Sequence, residues 1–507
     1  MINKIPNNVL EIYKKIQDAG FEVYFVGGCV RNILMNLPAK DWDLTTNATP
    51  DQILKLFPEG FNDNVFGTVG IPIDKPVILG NKVTPESSTN KTINVVEITT
   101  FRTERGYIDR RHPESVDWGK TIEEDLSRRD FTINSIALKI DLNQSVIASK
   151  AKQSPDGIAT SSSTLPQEDL LLESGARNDV TFELIDPFSG QKDIEFKTIR
   201  AVGDPNKRFK EDALRLMRAI RIATQLSFVI EEKTWNAIKA DAELLSEISR
   251  ERIRDELMMI LASNFPYEGI MLLKNANLLQ YIIPELLEGV NVSQERPGRH
   301  HKTDVFTHNV MSLKHCASTD PVVRFATLIH DTGKPRVQTL DENGLVIFHN
   351  HEIVSAKMAY EICERLHFSK KERGRVINLI RWHMFTVDEK ITDAAVRRFI
   401  RRVGVENIKD LVDLRIGDRL GGGTQRAESW RLKLFKKRVE EQLQPAPFSI
   451  NDLAVDGNDV IRILNIKPGP IIGKILQKLF EEVDEDLEKN NREYLEKRVK
   501  ELGEKPF

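Results

Sequence analysis

Two aspartates separated by one residue, Asp41 and Asp43, lie ten positions after an arginine, Arg31, which itself follows a glycine pair, Gly27 and Gly28. In a strand side chains alternate between faces, so the two carboxylates point the same way. Carboxylates held that close repel each other unless a cation sits between them, and hard divalent ions such as Mg²⁺ take oxygen ligands. The glycines let backbone approach a phosphate, and Arg31 can fork onto its oxygens. A lone Gly-Gly is usually a turn and a lone Asp-x-Asp usually a solvated loop. Together, after the apolar run Val23–Val26, they ask for a nucleoside triphosphate and two metal ions.

Further residues fit the same chemistry. Glu97, in INVVEITTFRTE, is a candidate third carboxylate; its plain alternative is a glutamate on a solvated strand face. Arg128, Arg129, Asp130 and Asn134 come together in RRDFTIN. Arginines suit phosphates, and an aspartate or asparagine suits ribose hydroxyls; as isolated residues they would be surface charge. Asp212, Arg215, Arg218 and Arg221 recur every three residues on a helix predicted from Glu211 to Arg221, with Leu214, Met217, Ile220 and Ile222 turned to the core. An aspartate accepts from a base amino group and an arginine donates to base acceptors, so the pair can imitate a Watson–Crick edge. A second constellation comprises His308, the adjacent pair His330 and Asp331, His351, His383 and Asp418. Each histidine alone is more often structural, but imidazoles and carboxylates on helical segments are the ligand set of a metallohydrolase.

The elements that must position these groups are partly readable. A chain of 507 residues exceeds one core, so several domains are expected. With 73 basic and 76 acidic residues, net charge does not announce a nucleic-acid binder, and local basic clusters must carry that role. Three scattered cysteines, Cys29, Cys316 and Cys363, argue against a disulfide framework. The N-terminus lacks the apolar core of a signal peptide, and no apolar run approaches the ~20 residues that span a bilayer. A reducing cytoplasm and no membrane partner fit all of this. Residues 5–19 read as an amphipathic helix, Thr49 and Pro50 as a helix start, and 65–80 and 91–103 as strands. The charged, turn-rich stretch Arg102 to Trp118 reads as a mobile loop. Residues 144–180, rich in Ser, Ala, Gln, Thr and Gly, read as a disordered insertion interrupting a hairpin whose second arm begins FELIDPFSGQKDI. RRFIRR (397–402) and RAESWRLKLFKKR (426–438) are the best local candidates for RNA backbone contact. KPGP then sits between two apolar helices, and the last twenty residues read as a charged, solvated helix.

The order Gly-Gly then Asp-x-Asp resembles the nucleotidyltransferase superfamily of DNA polymerase β type. VGGCVRN, DWDLTT, RRDFTIN, ELIDPFSGQKDI and EDALRLMRAIR follow the order found in class II tRNA nucleotidyltransferases and bacterial poly(A) polymerases, over about the first 260 residues apart from the insertion. The histidine set resembles an HD phosphohydrolase domain, and the KPGP tail is similar to the C-terminal part of the same tRNA enzymes. The resemblance implies an α+β fold: a nucleotidyltransferase head (1–203) with a mixed β-sheet and flanking helices, then an all-α helical neck (204–265), an HD body (266–440) and a tRNA-binding tail (441–507). It implies that Asp41 and Asp43 hold Mg²⁺, that Gly28, Arg31 and Arg128 or Arg129 contact phosphates and sugar, and that Asp212 and Arg215 read the base with support from Arg218 and Arg221. It implies a CCA-adding enzyme acting on tRNA with CTP and ATP, choosing bases without a nucleic-acid template. A second divalent metal is expected in the HD domain, through His308, His330, Asp331 and Asp418 with His351 and His383 nearby. Rivals within the class are a poly(A) polymerase and CC-only or A-only enzymes. The loop ERGYIDRRHPES favours full CCA addition, because the family's CC-only members shorten it. Outside the class stand an HD-type phosphohydrolase with a degenerate head and a non-catalytic RNA-binding protein. Asn32 stands where the family usually has aspartate, and so bears on the support of Arg31.

Overall fold

The computed structural model describes residues 2–39, 41–62, 67–73, 95–107, 113–141, 181–295, 303–385, 391–443 and 449–504. The expected insertion at 144–180 lies outside them. The chain divides into two compact units, Met1–Ile248 with Ala276–Leu278, and Ser249–Asn275 with Leu279–Phe507.

In the first unit α1 (Asn7–Asp18) leads to β1 (Val23–Val26), α2 (Gly28–Leu34), β2 (Trp42–Thr46) and α3 (Pro50–Leu56). Thr49 caps α3 in a reciprocal arrangement with Gln52, and Pro50 takes the first turn. Then come β3 (Phe61–Asn62), β4 (Thr68–Pro72), β5 (Val95–Thr100), β6 (Arg102–Tyr107), β7 (Pro113–Trp118), α4 (Ile122–Ser127), β8 (Ala137–Asp141) and β9 (Thr181–Ile185). Seven strands form one mixed sheet in the order β3-β4-β5-β2-β1-β8-β9. β2 runs antiparallel to β1 and parallel to β5. β8 and β9 pair from Ala137↔Ile185 to Asp141↔Thr181, so the hairpin closes on both sides of the insertion. The stretch expected to be a mobile loop instead pairs as β6 and β7, from Arg102↔Trp118 to Tyr107↔Pro113. Its charge had masked two short strands.

The register sorts side chains onto two faces. Phe25, Trp42, Leu44, Val96, Ile98 and Leu138 share one face, under Val9, Tyr13 and Ile16 of α1, Val30 and Ile33 of α2 and Ile53 of α3. Each fully buried large side chain there contributes about 1.5–3 kcal/mol. The Tyr13 ring stacks on Phe25 at 4.9 Å, and its hydroxyl donates to Val23 O and accepts from Ile140 N. On the other face Val26, Asp43 and Glu97 lie side by side in three adjacent strands. On that face a small cluster of Tyr24, Val26, Phe101, Ile122, Leu126 and Ala137 packs beside them.

The helix expected from Glu211 to Arg221 is interrupted. α5 (Pro205–Glu211) ends at Asp212, whose backbone is extended, and α6 (Leu214–Leu226) starts afresh. Asp212 Oδ1 accepts from Leu214 N at 3.0 Å, the short side chain competing with the helix for backbone partners.

The second unit is helical: α7 (Val305–Lys314), α8 (Pro321–Ile329), α9 (His351–Arg365), α10 (Lys370–Trp382), α11 (Asp393–Val403), α12 (Ile408–Gly421), α13 (Trp430–Leu443), α14 (Gly457–Leu464), α15 (Pro470–Glu485) and α16 (Arg492–Gly503) carry most of it. α7 and α12 pack backbone to backbone because glycine lies at the crossing. A Cβ on Gly417 would stand 2.6 Å from Ser312 O, and one on Gly421 would stand 2.5 Å from Ser312 N. α16 is not simply solvated: Leu495, Val499 and Leu502 join a small core with α14 and α15. Among the described residues, no helix is long and apolar enough to cross a membrane.

Candidate nucleotide and metal sites

β1 ends at Val26, and Gly27 turns the chain with φ +75° into α2. Glycine is needed there twice over. The positive φ disfavours any side chain, and a Cβ would lie 3.2 Å from both Arg129 Nη1 and Asp43 Oδ2. Asp43 and Arg129 therefore both border the Gly27 turn. Arg31, near Gly28 on α2, donates from Nε and Nη2 to Asn32 Oδ1 (3.2 and 3.0 Å) and from Nη1 to Asn134 Oδ1 (2.8 Å). Asn32 therefore supports Arg31 through its amide oxygen, as a carboxylate would but without charge.

Asp41 is exposed and lies one residue before β2, while Asp43 is inside the strand. Burial pushes the Asp43 carboxyl up, Arg129 opposes this, and Asp41 adds to it. Glu97 faces the same side as Asp43 by register. Acceptor-only groups sharing one sheet face, with one of them penalised by burial when charged, suit a hard divalent cation.

The two adjacent arginines separate in role. Arg128 places Nε and Nη2 on Asp125 Oδ1 at 3.0 and 2.7 Å. Arg129 places Nη2 on Asp125 Oδ2 at 3.2 Å and leans toward Asp43, and its buried Nε has no acceptor among the described residues. Burial raises the Asp125 carboxyl, but the two arginines outweigh it and hold it below the usual range. Asp130 is buried as a hub. Its Oδ2 accepts from Arg218 Nε and Nη2 (2.8 and 2.6 Å), and its Oδ1 from Phe131 N and Asn134 Nδ2 (2.8 and 3.2 Å). A continuous chain thus runs Arg218, Asp130, Asn134, Arg31.

Arg215 is buried. Its Nη1 meets Glu211 Oε2 and Arg208 O, and its Nη2 meets Arg128 O. Arg221 donates to Gln225 on the helix surface. Asp125, Arg208 and Glu211 were missed as site-supporting residues. Spacing could have found two of them: Asp125 stands three and four residues before the arginines, and Glu211 four before Arg215.

In the second unit all six expected ligands converge. His308, His330, Asp331 and Asp418 form one group, and Asp331, His351 and His383 another, so Asp331 belongs to both. His308 Nε2 lies 3.1 Å from Asp331 Oδ2 and 3.2 Å from Asp418 Oδ1, and His351 Nε2 lies 3.2 Å from Asp331 Oδ1. His330, His351 and His383 each set Nδ1 on a backbone carbonyl three residues back, at 2.7, 2.8 and 2.6 Å. That bond places the proton on Nδ1 and leaves Nε2 as the ligand lone pair. Asp331 Oδ1 and His351 Nε2 are buried without a hydrogen-bond partner among the described residues, two acceptors facing one another as a bound cation would require. Burial lowers His330, but Asp331 and Asp418 outweigh it and raise it, the pull of carboxylates whose charge a bound cation would neutralise in its place. A cavity of about 390 Å³ opens beside the cluster, with Lys334 and Arg415 on its wall.

Three of the four arginines of RRFIRR, expected at RNA, pair with acidic groups of the protein, and the fourth, Arg402, lies over the Trp382 ring. Arg397 bonds Asp484 and Gln442, Arg401 bonds Asp484, and Arg398 bonds Glu485. In α13, Leu432, Phe435 and Val439 turn inward.

Family models cover the segments that carry most of both sites. Residues 23–149 match the poly A polymerase head domain, 227–289 the "Probable RNA and SrmB- binding site of polymerase A", and 309–421 the HD domain. The CCA-adding enzyme of Lactobacillus helveticus is 37% identical over 261 residues, 51% of each chain, so this alignment spans about half that relative's length. The CCA-adding enzyme of Limosilactobacillus reuteri is 28% identical over 97% of this chain and 95% of that protein. The solved structure of the Bacillus stearothermophilus CCA-adding enzyme in complex with CTP has the same fold, with a TM-score of 0.64 and 22% identity over 98% of this chain and 96% of that one. Head, RNA-binding and HD matches in this order, on a sheet that sets Asp43 beside Glu97, show that the chain carries a poly A polymerase head domain, the associated RNA-binding segment and an HD domain, and that it is similar along its length to CCA-adding enzymes.

Proposed function

We propose that this protein adds C, C and A to the 3′ end of tRNA from CTP and ATP, in the cytoplasm and without a nucleic-acid template. The observation that carries this reading is the placement of Asp43 beside Glu97 on one face of the head sheet, with Arg129 Nη1 and Asp43 Oδ2 both bordering the Gly27 turn. Asp41 and Asp43, with Glu97 beside them, would hold Mg²⁺. Bound there, the metal would supply the charge that favours a nucleophilic 3′-oxygen and a departing pyrophosphate. The protein's own part is positioning. Arg129 and Arg31 offer donors to the triphosphate, and Gly27 and Gly28 let it approach the backbone. Asp130 and Asn134 hold Arg218 and Arg31 in place. Asp212 accepts from the base amino group; Arg215, expected to read the base, is instead buried on Glu211 Oε2, Arg208 O and Arg128 O and so holds the junction that presents Asp212, with Arg218 and Arg221 on the same helix. The 3′-oxygen forms a bond to the α-phosphorus, the bond to the β-phosphate oxygen breaks, and the hydroxyl proton leaves to water.

The six-residue HD cluster supports an accessory metal-dependent phosphohydrolase, with His308, His330, Asp331 and Asp418 as ligands and His351 and His383 beside Asp331. The test of the main reading is extension of a tRNA lacking its terminus with single nucleotides, followed by sequencing of the ends. C, C and A are expected in order. Asp43→Ala is expected to abolish addition while retaining tRNA binding. Normal incorporation by that variant, or no addition by the unaltered chain, would overturn the assignment.

A further inference from the structure

We propose that Asp125 is a positioning residue for nucleotide transfer: its carboxylate holds Arg129 over Asp43 and ties that arginine to the helices that read the base. This deepens the transferase reading and rests on it. The Asp125 side chain is 0% exposed. A buried carboxylate persists only with partners, and here both its oxygens are spent on the neighbouring arginines. Arg129 gives Nη2 to Asp125, which leaves Nη1 in the gap above Gly27, where Asp43 Oδ2 also lies. An arginine anchored in this way has surrendered its rotamer freedom before the nucleotide arrives, so less is lost on binding.

The turn that carries the two arginines is also fixed from its other side. Ser127 O accepts from Arg208 Nη2 at 2.6 Å, and Arg128 O accepts from Arg215 Nη2 at 3.1 Å. Arg208 and Arg215 both meet Glu211 Oε2 at 2.8 Å. Residues 127–130 are therefore clamped between Asp125 and the α5–α6 junction, so the phosphate-facing arginine and the base-facing helix move as one piece.

The test uses the full chain and the isosteric variant Asp125→Asn, with Mg²⁺ present. Calorimetric affinity for CTP and for ATP, kcat and KM on tRNA lacking CCA, and the melting temperature are measured. Losing a charge-assisted anchor should weaken both nucleotides by about 10-fold and alike, in Kd and KM more than in kcat. In an Arg129→Ala background the same substitution should add less than about twofold, because both act through one side chain. Independent, additive effects would overturn the proposal, as would wild-type nucleotide affinity in Asp125→Asn. Should Asp125→Asn unfold, Arg129→Ala alone decides: unchanged nucleotide affinity refutes the role given to its anchor. If the unaltered chain binds CTP yet extends no tRNA, the transferase reading fails, while the affinities still judge Asp125.

Discussion

Replacing Gly417 by alanine sets two effects of opposite sign against each other. Inside a helix, alanine is favoured over glycine by about 1 kcal/mol. At Gly417, however, the new Cβ would stand 2.6 Å from Ser312 O, 3.2 Å from Cys316 Cα and 3.3 Å from Cys316 N. All three are backbone atoms of the α7 segment and its end, so no side chain can swing aside. Overpacking of this kind costs about 1–3 kcal/mol, and rigid neighbours place it at the upper end. The net expectation is a loss of about 1–2 kcal/mol, or some 2–8 °C in melting temperature for a domain of this size. Gly374 supplies the internal comparison. It is exposed within α10, with nothing among the described residues within 4 Å of its Cβ position, so Gly374→Ala should stabilise by about 1 kcal/mol. The same substitution should thus have opposite signs at two helical sites in one unit. Gly417 also adjoins Asp418, whose Oδ1 lies 3.2 Å from His308 Nε2 on the facing helix. Pushing the helices apart should widen that gap and lower divalent-metal affinity by about 10-fold, read by metal titration. If Gly417→Ala raises the melting temperature as Gly374→Ala does, the backbone-to-backbone crossing is refuted.

Two further outcomes are expected. The Asp130 carboxyl, though burial raises it, is held well below its ordinary value by Arg218, so its contribution is present above the unfolded value near ~4 and is lost as pH falls below it. The stability difference between the unaltered chain and Asp130→Asn should therefore shrink below about pH 4 in denaturant titrations; a constant difference would dismiss the ion pair. Replacing residues 142–180 by a four-residue turn should stabilise the head by about 2 kcal/mol through a shorter loop, because Asp141 and Thr181 already pair across the sheet. Nucleotide addition and a raised melting temperature would be seen together; loss of the folded head would contradict it.

Much of the fold was legible because its signals are local. Thr49 and Pro50 announce a helix start within four residues, and the apolar run before Gly27 announces a buried strand. The six candidate HD-type ligands were legible as a set, through the adjacent His330–Asp331 pair and its resemblance to an HD domain, although each histidine alone is more often structural. Long-range pairing was not. That Glu97 stands beside Asp43 depends on a parallel register between strands far apart in the chain. The break at Asp212 was hidden because the apolar spacing continues through it, and a side chain competing for one amide leaves no periodic trace. The internal pairing of Arg397, Arg398 and Arg401 was hidden as well, because charge patterning cannot reveal that Asp484 lies opposite them.

The register of the central strands has a consequence for how faithfully the head folds. A slip of one residue between β1 and β2 or between β2 and β5 would turn every side chain of the shifted strand to the opposite face. Asp43 or Glu97 would then enter the layer packed by Phe25, Leu44 and Ile98, and an unpaired carboxylate there costs several kcal/mol. Misaligned sheets are therefore rejected by the same acidic groups that make the open face useful. The carboxylates proofread the assembly of the strands that carry them, and a head that has settled into its stable register is for that reason one whose acidic face points outward.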